Sequence, residues 1–183
     1  YEYIRAELLK DQVIQSVTHS GWGGMAALKV NDETKTFPIE NIDETYLSLL
    51  SIPIVSGQDF STDFLSDSSN AVLVNESFVK MAGWNDPVGV EFTTVEGMKL
   101  KVVGVIGDHQ NVYIGSPSRK IEPHLFMRGS EKQYDRIYAK IKPMSEVVSL
   151  KTIEATFKKA FPLVPFQYFF LEEQYLQSLT SEA

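Results

Sequence analysis

The stretch from Ala71 to Asp108 constrains the fold more than any other part of the chain, because it carries a strand, a capped helix, a turn and a second strand in a fixed order. Ala71–Val74 is a short apolar run with strand character. Asn75 is a good helix cap, and Phe78, Met81 and Ala82 share one helical face. Gly83 can stop that helix, and Asp86-Pro87-Val88-Gly89 reads as a turn. Lys99–Ile106 is a second apolar run, closed by Gly107 and Asp108. None of these residue types is arranged for bond-making chemistry.

Before this module, Ile4, Leu8 and Leu9 give an amphipathic first helix. Val13–Thr18 alternates as a strand does, and His19–Gly24 reads as a glycine-rich turn. Met25–Val30 and Lys35–Ile42 then form a hairpin across Asn31-Asp32-Glu33. Asp43 is expected to cap a short helix bearing Tyr46, Leu47 and Leu50, ended by Pro53. The composition turns polar over Gly57–Asn70 and again over Asn111–Lys120, with a returning strand at Ile121–Met127 and a linker at Gly129–Asp135.

In the last third, Arg136–Lys142 places Ile137, Ala139 and Ile141 on one face and Arg136, Tyr138, Lys140 and Lys142 on a wet one. Ser145 is expected to cap a helix in which Val147, Leu150, Ile153, Phe157 and Phe161 recur at helical spacing. Val164–Phe170 reads as an apolar strand, and a final helix begins at Glu172. Strand–helix–strand predicts a right-handed crossover between parallel neighbours. The fold class expected is α+β (mixed α/β) in two lobes. One is an α/β lobe built from residues 1–56 and 134–183; the other is a smaller mixed lobe, residues 57–133, inserted into it.

Residue types exclude several functions. The net charge of −7 leaves no basic excess to replace counterions on nucleic acid or to hold an anionic lipid surface. With no cysteine, disulfide and thiolate chemistry are excluded. His19, His109 and His124 have no second histidine at metal-ligand spacing. Asp108-His109 lies at a strand end, where neighbours point to opposite sides. Ser20 lacks the glycine two residues earlier that a nucleophile elbow needs, Thr18 standing there, and reads as part of a turn. The glycines fit neither a dinucleotide loop nor a Walker A loop. Glu172-Glu173 suits a helix start, and Asn75-Glu76-Ser77 is a glycosylation triplet whose Asn already caps a helix. Phe161, Phe166, Tyr168, Phe169 and Phe170 are expected in the core, the alternative being an exposed subset that forms a partner surface, and Trp22 and Trp84 stand beside glycines in turns, equally open to burial or contact. No residue is assigned a catalytic, cofactor-binding or metal-binding role, and no cofactor is expected.

No apolar run approaches the roughly 20 residues that cross a bilayer, nor is a signal peptide visible. The chain opens inside a helical pattern, Tyr1–Lys10, and closes in another from Leu171 to Leu179. Both ends are expected to be cuts that leave an extramembrane piece of a longer protein; the other reading is a mature chain after cleavage.

Four phrases in order resemble the periplasmic core domain of MacB/FtsX-like ABC transporter permeases. They are Tyr46–Pro53 followed by Gly57-Gln58-Asp59-Phe60; Val74-Asn75-Glu76 with Gly83 and Asp86-Pro87-Val88-Gly89; Val103–Asp108; and Ile121-Glu122-Pro123 before a strand. The match covers about Tyr46–Met127 well, departing at Asp59, where the family often carries a basic residue. The resemblance implies a porter-like lobe from the two chain ends and an inserted sabre-like lobe. It implies no enzyme, ATP hydrolysis residing in a separate subunit or domain. The partners implied are the protein's own transmembrane helices, a cytoplasmic ABC ATPase, a second permease copy or paralogue, and a periplasmic adaptor or lipoprotein. The place implied is the cell inner membrane, with this domain facing the periplasm and coupling ATP-driven motion to export or mechanical work. Two alternatives stand beside it: a free-standing periplasmic ligand- or peptide-binding domain, and a hydrolase with a site assembled from distant residues.

Overall fold

A computed structural model describes residues 1–30, 33–60, 70–109 and 121–173. Their order is α1 (Glu2–Leu8), β1 (Ile14–Val30), β2 (Glu33–Ile42), α2 (Tyr46–Leu49), β3 (Ile54–Gly57), β4 (Ala71–Asn75), α3 (Glu76–Ala82), β5 (Glu91–Thr93), β6 (Lys99–Ile106), β7 (Leu125–Arg128), β8 (Arg136–Ile141) and α4 (Glu146–Ala160). This is the mixed α+β class expected. Eight strands make one sheet in the order β3-β6-β4-β7-β2-β1-β8, with β5 also paired to β6. β2–β7 and β4–β6 run parallel and the other pairs antiparallel.

The module at Ala71–Asp108 forms as its local signals dictate. Asn75 Oδ1 accepts the Phe78 N–H at 3.1 Å, and Gly83 closes α3 in the left-handed region at φ 69°. The turn follows, with Val90 N–H donating to the Pro87 carbonyl at 3.2 Å.

Three apolar clusters hold the sheet. On one face of β4 and β7, Val72, Val74 and Leu125 pack with Phe37, Ile39, Phe78 and Leu100. On the other, Leu73 and Phe126 pack with Ile42, Tyr46, Leu47 and Ile106. The third cluster joins Ile4 and Leu8 of α1 to Ile14 and Val17 of β1, with Ile137, Ile153 and Phe157 against them. The β5–β6 turn returns to β1, where Val95 N–H donates to the Ala27 carbonyl at 2.7 Å, so the sheet curls around the first cluster.

Four expectations need correction. His19–Gly24 is no turn. It lies inside β1, a single strand of 17 residues whose register to β2 shifts between Trp22 and Gly24. The glycines serve close approach and curvature: a Cβ on Gly21 would stand 1.8 Å from the Gln133 carbonyl oxygen, and Gly24 has φ +90°. Val164–Phe170 joins no strand, so β8 and α4 do not start a parallel crossover. Its alternate aromatics instead stack on one another, Phe157–Phe166 at 5.4 Å, Phe166–Tyr168 at 5.7 Å and Tyr168–Phe170 at 5.9 Å, with Tyr168 57% exposed and not in the core. The Ser145 hydroxyl donates to the Lys142 carbonyl at 2.6 Å and does not cap α4, whose Val147 is exposed. The outer face of β8 is not simply wet, because Tyr138 packs on Tyr46 at 5.8 Å and Arg136 reaches Glu40.

Strands of residues 57–133 and of the two chain ends share this sheet, meeting along β2–β7 and again along β3–β6. Expectations for residues 61–69, 110–120, Tyr175, Leu176 and Leu179 lie outside the described residues.

Gly21→Ala forces the Gln133 backbone away and is expected to cost about 1–3 kcal/mol, the usual range for overpacking. Gly24→Ala meets no atom within 4 Å and carries only the left-handed strain, about 1–2 kcal/mol. Urea unfolding of the two variants checks the order.

Candidate functional site

The most densely wired polar cluster lies where α1 meets the sheet. Asp43, just past β2, is 4% exposed. One carboxylate oxygen accepts the Thr18 hydroxyl, the Thr45 N–H at 2.9 Å and the Thr45 hydroxyl at 2.8 Å. The other accepts the His19 N–H at 2.9 Å and faces His19 Nδ1 at 3.0 Å. Burial pushes the carboxyl pKa up, but the bonds from His19, Thr18 and Thr45 outweigh it and hold it down to about 2. Asp43 was expected as a simple helix cap. It is a buried anion tying the middle of β1 to the start of α2, and Thr45 is the residue at the N-cap position.

The His19 ring carries this junction to the chain ends. It stacks on Tyr134 at 5.6 Å and meets the edge of Tyr1 at 5.3 Å. Tyr1 in turn touches Phe161, at the end of α4, at 5.8 Å. Glu131 accepts the Glu2 N–H at 3.0 Å, and Arg5 donates to Glu44 at 3.2 Å. Arg128 approaches Glu44 from β7 at 3.8 Å. Burial first, then the carboxylates of Asp43 and Glu44, pushes the Tyr134 hydroxyl up to about 12, so it stays protonated and donates to the Gly129 carbonyl at 2.9 Å. The first turn of α1 is therefore held to β1, to the start of α2, to the loop before β8 and to the end of α4. Beside it, Arg136 of β8 reaches across β1 to the buried Glu40 of β2 at 3.2 Å.

The residues singled out in the sequence fall elsewhere. Ser20 is buried in β1 with its hydroxyl 3.5 Å from that of Tyr138, and it leaves the strand on the face opposite to its neighbour His19. No serine–histidine relay exists there. Asp108 accepts the Ser77 N–H at 2.9 Å and its hydroxyl at 2.7 Å, so it secures the first turn of α3. His124 is buried against Phe126 at 4.8 Å, and His109 lies 5.4 Å from the same ring. Desolvation, with smaller contributions from His109 and Arg136, drives the His124 pKa down to about 3, so the ring is neutral. Asn75 is 2% exposed and its amide nitrogen donates to the Glu122 carbonyl at 2.9 Å, which removes it as a glycosylation acceptor in the folded chain. Trp22 is 49% exposed, whereas Trp84 packs on Phe78 and Phe92. Among the described residues no group of three or more histidine, aspartate or glutamate side chains is placed to hold a metal ion.

A groove of about 540 Å³ runs along β5 and β6, lined by Asp59, Phe60, Glu91, Lys99, Lys101 and Arg128. Its charges answer one another, Lys101 standing 3.7 Å from Glu91. Burial pushes the Asp59 carboxyl up, the largest influence on it.

No protein-family model and no curated protein matches the chain. Solved structures do. The periplasmic region of MacB from Actinobacillus actinomycetemcomitans superposes with a TM-score of 0.69 at 19% identity, covering 98% of this chain and 82% of that one. The extracellular domain of YknZ, a noncanonic ABC-type transporter from Gram-positive bacteria, gives 0.63 at 12% identity over 87% and 82%. A domain of a protein assigned as a permease from Porphyromonas gingivalis gives 0.60 at 14% over 93% and 86%. The chain has the MacB-like periplasmic core fold that the four sequence phrases implied.

Asp43→Asn puts a donor among five donors and is expected to cost about 3 kcal/mol, the upper figure for a hydrogen bond to a charged group, as measured by urea unfolding at neutral pH. Acid should act in two windows. The folded pKa of His124 lies below its ordinary 6.5, so the unfolded chain binds the extra proton first and stability falls as pH drops from 6.5 toward about 3. Asp43 contributes fully above 3.8 and loses that contribution as pH falls toward about 2. His124→Leu should flatten the upper window and leave the lower one.

Proposed function

We propose that this chain is the extracytoplasmic, periplasm-facing domain of an ABC transporter permease subunit of an inner membrane, and that it carries movement of flanking membrane helices into the sheet. The observation that carries the reading is the meeting of Tyr1, at the start of α1, with Phe161, at the end of α4, their rings 5.8 Å apart, Tyr1 also standing against the His19 ring that faces Asp43. A chain inserted between two membrane helices needs entry and exit on one side. α1 and α4 lie antiparallel, since Lys159 sits over the Tyr3 ring at 5.8 Å while Thr152 bonds Asp11 at 2.8 Å. A tilt of α1 therefore pulls on β1, on the start of α2 and on the end of α4 together.

The fold shared with the periplasmic region of MacB and the extracellular domain of YknZ supports the same assignment. In this reading residues 1–56 and 134–183 form a porter-like unit and 57–133 a sabre-like unit, with Ala26, Leu28, Phe37 and Ile39 of the β1–β2 hairpin packed into the latter. ATP is hydrolysed by a separate ATPase, and the partners are the flanking membrane helices, a second permease copy and a periplasmic adaptor or lipoprotein. The domain itself binds and transmits and does no covalent chemistry. Among the described residues no helix is long and apolar enough to cross a membrane.

In the intact gene product, with other reactive cysteines removed, Met144→Cys should react with a membrane-impermeant maleimide once the outer envelope is opened and before the inner membrane is broken; Met144 is 94% exposed. Reaction only after inner-membrane lysis, or recovery of the protein in the soluble fraction, overturns the reading.

A further inference from the structure

The groove along β5 and β6 changes from charged to apolar along its length. Its floor is one face of the sheet. Lys99, Lys101 and Val103 are alternate residues of β6 that line it, while Leu100 and Val102 between them enter the first cluster on the other face. Lys99 lies opposite Thr93 of β5, and Lys101 lies between Glu91 of β5 and Ala71 of β4. Ala71 and Val103 pack with the second cluster, which holds the buried Phe60. The chain leaving β3 sets Phe60 in place. Gln58 N–H donates to the Val103 carbonyl at 3.1 Å, and a Cβ on Gly104 would stand 2.4 Å from the Gln58 carbonyl oxygen. Gly104 thus lets that chain lie directly on β6 and wall the groove.

The charges differ between the two ends. At the β5 end, Lys101 and Glu91 stand 3.7 Å apart with both side chains more than half exposed, a contact that holds little in water. Lys99 beside them pairs with no carboxylate among the described residues. At the opposite end Arg128 is turned to Glu44 at 3.8 Å, and Asp59 lies in the field of Asp43 and Glu44. An anion is therefore accepted at the two lysines and repelled at Asp59. The volume of about 540 Å³ is that of a small-molecule site, for which roughly 300–1,000 Å³ is usual. We propose that the groove binds a small amphiphile with an anionic head, a carboxylate or a phosphate monoester: the head lies between Lys99 and Lys101, and the apolar chain runs over Ala71 and Val103 toward Phe60. Two ammonium groups on one strand face give the head charge-assisted bonds. The polarity of the groove changes once, so the ligand's must change once as well. A uniformly charged or uniformly apolar molecule leaves one end unmatched.

The test is amide NMR of the isotope-labelled chain, titrated with decanoate below the concentration at which it forms micelles. Saturable shifts are expected at Lys99, Lys101, Val103 and Ala71, with α1 and α4 unmoved. Decyl phosphate should act in the same way. Decyltrimethylammonium, with the same chain and the opposite charge, should not, nor should acetate, which has the head without the chain. From hexanoate to decanoate the affinity should rise by up to about fourfold for each methylene that is buried. Lys99→Glu, at an exposed position, should weaken decanoate by about tenfold or more and leave the thermal midpoint unchanged. Lys140→Glu, which changes the net charge equally from the exposed side of β8, should leave the affinity as it is. Equal affinity for decanoate and decyltrimethylammonium overturns the inference, since it would mean apolar uptake without charge selection. So does decanoate binding that survives Lys99→Glu, or shifts confined to other parts of the chain. Absence of any binding overturns it too, and leaves the permease reading standing, because that reading uses none of these residues.

Discussion

Everything else in the molecule hangs on the continuity of β1 through its glycines. A strand of 17 residues spans about 55 Å at the usual rise, longer than a single packed layer can cover. Its first half pairs with β8 beneath α1 and α4, and its second half pairs only with β2 and closes the curled sheet at Ala27. The two halves need different curvature. Gly21 admits the Gln133 backbone, and Gly24, at φ +90°, absorbs the bend at the register shift. Any side chain at Gly21 would drive the loop before β8 away from the sheet, and with it Tyr134, which stacks on His19. Backbone approach and buried junction are thus one arrangement.

That junction is costly to build, which bears on why it is there. A carboxylate with 4% exposure loses most of its hydration, and only a full set of donors brings its pKa below the ordinary value. An aliphatic residue would fill the space without that requirement. What the anion adds is direction: each oxygen has assigned donors on β1 and before α2, so the relative position of these elements is specified and not merely favoured. In the proposed role, a joint that passes displacement from α1 to the sheet needs such specification, because apolar contacts allow sliding. Glu40–Arg136, which spans β1 from β2 to β8, stiffens the same region in the perpendicular direction.

How much of this could be read from residues alone follows from the range of the interactions. The Ala71–Ile106 module was legible nearly residue by residue, because cap, stop and turn are decided within a few positions. His19–Gly24 was misread because glycine density signals a turn locally, whereas the reason for Gly21 lies more than a hundred residues away at Gln133. Val164–Phe170 has strand composition, but no edge claims its backbone and its rings satisfy one another. Asp43 was visible as an acceptor before a helix, and the Asp-x-Thr spacing to Thr45 is a local signal. Its donors on Thr18 and His19, 25 and 24 residues earlier, were not visible without the β1–β2 register.

The two ends of α4 sharpen the mechanical picture. Met144, at 94% exposed and φ 59°, and Leu163, at 95%, project from opposite ends of one 15-residue helix, about 22 Å long at the usual rise. α1 lies antiparallel to that helix and is fixed to it at Tyr3 and Asp11. A lever held at both ends of its fulcrum turns as a body. Under the proposed function, rotation of α1 therefore reaches the Met144 end of α4 and, through β1, the part of the β1–β2 hairpin that carries Ala26 and Leu28. Under that function the directional bonds of the Asp43 junction keep the movement from being lost in sliding apolar contacts.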